Sequence, residues 1–90
     1  MKMYLYAVYD MKTRVFCIPF FAPNKEVALR SFEYSANQDD NDIGRYPSDF
    51  GLYEVGEFDD GTGQVSGHVQ PEHLATALHL VKPVEELENV

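Results

Sequence analysis

Lys2, Tyr4, Tyr6, Lys12 and Arg14 all fall within the first fourteen residues. Cations interleaved with aromatic rings on extended chain can hold single-stranded nucleic acid, the charges pairing with phosphates and the rings stacking on bases. These five are the candidate nucleic-acid-binding residues, and the distribution of charge singles them out. Residues 1–30 carry Lys2, Lys12, Arg14, Lys25 and Arg30 against Asp10 and Glu26, net +3; the other sixty carry Arg45 and Lys82 against thirteen carboxylates, net −11. A chain with a formal charge of −8 is a poor candidate for a general grip on duplex DNA, which rests on many Lys and Arg contacts to phosphate. Any nucleic-acid contact must be local to the basic third.

No other constellation competes. A calcium loop beginning at Asp39 would put Ile43 at its fifth position and Phe50 at its twelfth, where an oxygen ligand and a glutamate are needed. Asp59-Asp60-Gly61 reads as a turn. His68, His73 and His79 have neither the i, i+4 spacing of a helical metal pair nor cysteine partners nearby. No nucleophile elbow, phosphate loop or paired-carboxylate signature is present, so the sequence argues against an enzyme and implies no cofactor or metal. The single cysteine, Cys17, excludes an intramolecular disulfide, fits a reducing interior and is expected to pack as a small buried hydrophobe. The opening MKMYLYAVYD lacks the apolar length and cleavage site of a signal peptide, and no stretch approaches the roughly 18 apolar residues of a membrane span. The expectation is a soluble cytoplasmic protein without membrane contact.

The elements that must position the candidate residues follow from pattern. Ninety residues with 44% hydrophobic and 24% charged content predict one α+β domain over 1–83, followed by a frayed acidic tail at 84–90. Met3–Tyr9 and Arg14–Phe21 read as an antiparallel hairpin, with Pro19 placing the second strand at an edge or forcing a bulge. Along the first strand, Met3, Leu5, Ala7 and Tyr9 form the better core face, which turns Tyr4, Tyr6 and Val8 outward with Lys2 on their side. Asn24 caps a helix from Lys25 to about Asn37, with Ala28, Leu29, Phe32 and Ala36 on its apolar stripe. Residues 38–49 read as a mobile solvated loop. A third strand, Phe50–Phe58, turns at Asp59–Gly63 into a fourth from about Gln64 to Val69, and a short helix starting at Pro71 or an extended segment closes the domain. The result is a small antiparallel sheet of two hairpins, β-β-α-β-β plus a short C-terminal element, with one amphipathic helix packed on one face. The outward aromatic face predicts a partner surface, most simply a homodimer.

MKMYLYAVYDMKTRVFCIPFF, EVALRSF from Glu26 to Phe32, LYEVGEFDDGTGQV and the closing PEHLATAL together resemble the small non-structural protein of gokushoviruses, a microvirus subfamily of single-stranded DNA phages. The most specific parts are YLYAVYD with its following lysine, the paired FF before the helix and the LYEVGEFDDGTG hairpin. The resemblance covers most of the chain and brings no catalytic residues. It implies an accessory protein of the host cytoplasm that acts in single-stranded DNA synthesis or its switch to packaging. Its partner would be single-stranded DNA at the basic hairpin, a phage replication or capsid protein at the aromatic or acidic surface, or a host factor deceived by an acidic surface that mimics nucleic acid.

Overall fold

The computed structural model describes residues 2–83. It contains five strands, β1 (Lys2–Asp10), β2 (Val15–Phe16), β3 (Phe20–Ala22), β4 (Phe50–Asp59) and β5 (Gln64–Thr76), and two helices, α1 (Lys25–Ala36) and α2 (Asp42–Arg45). Short 3-10 turns occupy Pro47–Asp49 and Ala77–Leu80. The strands make one antiparallel sheet in the order β2-β1-β4-β5, with β3 also paired to β1. The fold is therefore a small antiparallel sheet with one long helix, as expected in class but not in detail. The acidic tail predicted at 84–90 lies outside the described residues.

Helix α1 begins where the sequence places it, because the Asn24 Oδ1 accepts from the Val27 amide at 2.9 Å and satisfies an otherwise orphaned donor. Its buried stripe is Ala28, Phe32 and Ala36. Asn37 then ties the chain's later course to the helix end: its Nδ2 donates to the carbonyls of Glu33 and Leu80 at 2.8 and 3.0 Å, and its Oδ1 accepts from the Lys82 amide at 2.8 Å. The stripe packs on Tyr6, Val8, Ala22, Phe50, Leu52 and Ala77, which complete the core.

That core corrects the assignment of faces on β1. Tyr6 is fully buried, Val8 is buried, and Tyr4 packs against them under the helix, so the side expected to face outward is the inner one. Both alternating sets of β1 are apolar, and alternation alone cannot rank them. The strand paired with β1 decides, because Val8 stands opposite Leu52, and Tyr6 stands beside Phe20.

Four further expectations change. The second predicted strand is split at Cys17–Pro19 into β2 and β3, as a residue without an amide donor at 19 requires. Cys17 in that break is exposed, not buried. Residues 38–49, expected as a loop, form α2 and a 3-10 turn. There Asn41 Oδ1 accepts from the Gly44 amide at 3.0 Å, and a Cβ at Gly44 would overlap the Gln38 carbonyl oxygen, so a small residue is required. Finally, β5 runs on to Thr76, through the stretch assigned to a short helix, because Tyr53 and Leu52 on β4 continue to pair with His73 and Ala75.

Phe32→Ala should cost about 3 to 5 kcal/mol as a core cavity. Urea denaturation checks this, and a loss below about 1 kcal/mol would contradict the packing of α1 described above.

Candidate functional site

The five residues expected to bind nucleic acid do not form one patch. Lys2 is ion-paired to Glu57 at 3.3 Å on the helix side of the sheet. Tyr4 is half-buried and Tyr6 wholly buried beneath α1. Lys12 and Arg14 sit beyond the other end of β1, roughly 30 Å from Lys2 at about 3.3 Å per strand residue. Their turn is built by Asp10, whose Oδ1 accepts from the amides of Lys12 and Thr13 at 2.9 and 3.3 Å. Desolvation pushes the Asp10 carboxyl upward, but these bonds outweigh it and hold the group below its usual range. Arg14 closes the turn with a left-handed φ of 63°.

The register of the sheet defines a different surface. Met3 stands opposite Phe58, Leu5 opposite Gly56 and Phe21, Ala7 opposite Tyr53, and Tyr9 opposite Gly51 and Phe16. On β5, Val65 stands opposite Phe58 and His73 opposite Tyr53. All share the side away from α1, since β-strand side chains alternate. Their rings touch in two clusters: Tyr9, Phe16, Tyr53 and His73 with centroids 4.7 to 5.9 Å apart, and Phe21 with Phe58 at 5.8 Å. Phe16, Phe21 and Val65 remain 43, 51 and 60% exposed. No Asp, Glu, Lys or Arg paired in the sheet lies on this side. Lys2, Asp10, Glu54, Glu57, Asp59 and Glu72 all pair in register on the helix side. A bulge at Val55, where Tyr6 faces Glu54 but Leu5 faces Gly56, keeps the sorting intact past the middle of β4.

Sequence reasoning missed this surface. A signal for it existed in β4, where the acids fall at 54, 57 and 59 while Gly51 and Tyr53 precede them and Gly56 and Phe58 lie between them. It is unreadable until the bulge is placed.

The helix side holds the polar chemistry. Glu54, 8% exposed, shares a 2.8 Å hydrogen bond with His68 Nε2. The Lys25 ammonium donates to Glu72 at 2.7 Å, and this bond raises the lysine pKa. Tyr6 Oη is buried with no hydrogen bond of good geometry. Burial first, then the negative charge of Glu54 beside it, pushes the Tyr6 phenol up to about 12. Among the described residues no cluster of His, Cys, Asp and Glu is arranged to hold a metal ion.

With this geometry in hand, comparison with known proteins places the chain. A family model described as Phage ORF5 protein matches residues 3–80. The chain belongs to the Phage ORF5 protein family. Protein ORF5 of Chlamydia phage 1, a gokushovirus, is 37% identical to it over 68 residues, 71% of each chain. The resemblance to a small gokushovirus protein is thus borne out. No solved structure matches. The matched span of this phage protein covers β1 through the last 3-10 turn, so both sides of the sheet lie within the family's common part.

Tyr6→Phe deletes an unsatisfied buried hydroxyl while keeping the ring, and should change stability at neutral pH by less than about 1 kcal/mol. The sign of the pH effect follows from the raised phenol pKa. The neutral form is favoured in the fold, so stability is full below the unfolded value near 10 and is lost as pH rises towards about 12. Relative to Tyr6→Phe, the natural protein should lose roughly 2 to 3 kcal/mol over that window, at about 1.4 kcal/mol per pKa unit. Denaturation of both proteins across pH 9 to 12 measures the difference, and parallel profiles would contradict it.

Proposed function

We propose that this phage protein is a non-catalytic accessory factor of the host cytoplasm that works by protein contact, with its open sheet face paired to the same face of a second copy. The supporting observation is the sorting of charge. A chain of net charge −8 repels its own copies least where charge is absent, and the residues paired in register on the side of the sheet away from α1 are uncharged, mostly aromatic or aliphatic, with His73, Thr76 and the neighbouring Gln70 as the polar ones. An uncharged, ring-rich patch of this kind has the character of an interface core. Face-to-face pairing gives four layers, helix, sheet, sheet and helix, and leaves the acidic surfaces outermost. Those surfaces then steer association with basic proteins of replication or packaging, the step implied by the family resemblance.

One observation favours single-stranded DNA as a second occupant. Lys12 and Arg14 make no ion pair with any described residue, and their turn joins Tyr9 to the strand that carries Phe16. Under this reading Phe16, Tyr9 and Tyr53 stack on bases in place of Tyr4 and Tyr6.

Light scattering on the natural protein should give twice 10.3 kDa, and Phe21→Glu, at a half-exposed position, should give a folded monomer. A natural protein that stays monomeric to millimolar concentration contradicts the pairing. For DNA, fluorescence anisotropy with a labelled oligonucleotide at low salt should show binding that Phe16→Ala weakens by roughly 1 to 3 kcal/mol per stacked base. Two neutralised phosphates would give a salt slope near −1.4, at about −0.7 for each. Absence of binding at the highest soluble concentration removes this reading and leaves the protein interface.

A further inference from the structure

We propose a second site, on the helix side of the sheet: a pocket that takes a guanidinium group, the side chain of an arginine on a basic protein partner. The pocket has a volume of about 390 Å³ and is lined by Tyr4, Tyr6, Asn24, Lys25, Glu26 and Glu54, within the roughly 300 to 1,000 Å³ range of small-ligand sites. Three observations point to its occupant. Tyr6, fully buried, lines the pocket, and its Oη stands beside Glu54 without a hydrogen bond of good geometry; a buried polar atom so placed is unfavourable until something completes its bonding. Glu54 is buried, is held by His68 through Oε2 and stands beside the Tyr6 phenol, and its carboxylate still has unused acceptor capacity. Lys25, the one cation of the lining, is drawn aside to Glu72 at 2.7 Å, so neither Glu26 nor Glu54 has a lysine or arginine partner among the described residues.

The lining therefore offers two carboxylates, a phenol oxygen and the Tyr4 ring, and its one cation, Lys25, is engaged by Glu72. An anion would meet repulsion, and an apolar ligand would strand the acceptors. A guanidinium satisfies them: its planar fork donates to carboxylate and hydroxyl oxygens together, and its face stacks on an aromatic ring. An ammonium has the charge but neither the fork nor the flat face, and it is held more strongly by water. The acidic exterior of the protein supplies the approach of a basic chain segment. This site lies on the side opposite the open face, so it stands or falls independently of the pairing proposed above.

The test is an NMR titration of the full chain at low salt with a short arginine-bearing peptide, its lysine counterpart and argininamide. The arginine peptide should shift the resonances of Tyr4, Tyr6 and Glu54 and bind more tightly than the lysine peptide. Tyr6→Phe, which keeps the ring, and Glu54→Gln should each weaken that binding while the resonances of Phe21 and Phe58 stay in place. Silence at Tyr4, Tyr6 and Glu54 up to millimolar peptide overturns the proposal, as does unchanged affinity in Tyr6→Phe. Argininamide binding as tightly as the peptide would overturn the protein source and assign the pocket to a free guanidinium compound.

Discussion

The packing of α1 against Tyr6, Val8 and Leu52 decides what every other surface of the molecule can do, because among the described residues one twelve-residue helix covers one side of a sheet and leaves the other bare. Burial of Phe32 among these side chains holds the two layers together, and the Asn24 and Asn37 side chains fix where the helix starts and where the chain's end returns to it. From that contact follow the inner position of Tyr4 and Tyr6 and the bare position of Tyr9, Phe16, Phe21, Tyr53 and Phe58.

Charge then divides along the same boundary. The six charged side chains paired in register within β1, β4 and β5 all fall on the helix side, where some find partners in Lys2–Glu57 and Lys25–Glu72 pairs. These are exposed pairs of small energetic weight; their importance is positional, since every charge kept on that side is absent from the other. The bulge at Val55 is what permits it. Were Val55 paired regularly with Leu5, Glu57 would rotate onto the open face beside Met3, and Phe58 would turn to the helix side.

Much of this was legible in the sequence. Asn24 marked the helix start, the 28-32-36 spacing marked its buried stripe, Pro19 marked the break in the edge, and Asp59–Gly63 marked the hairpin turn. Each is a local signal with a local cause. The side of β1 that α1 would cover was not legible, because Met3, Leu5, Ala7 and Tyr9 are as apolar as Tyr4, Tyr6 and Val8; only the long-range pairing with Phe20 and Leu52 separates them. The same limit misplaced the candidate site. Lys2, Tyr4, Tyr6, Lys12 and Arg14 are close in sequence and share a hairpin, but the strand spreads them along its length and the helix claims the two rings. The polar group of Tyr6, Glu54 and His68 spans sixty residues and carries no spacing that could announce it.

The central claim is that the bare face of the sheet is an interface between copies of this chain. The most direct test is isotope-filtered NMR on a sample that mixes labelled and unlabelled protein, which reads contacts between copies and ignores those within one. The account predicts intermolecular contacts among the rings of Phe16, Phe21, Tyr53 and Phe58. Intermolecular contacts confined to the helix side, around Tyr34 for example, or none at all at millimolar protein, would contradict it.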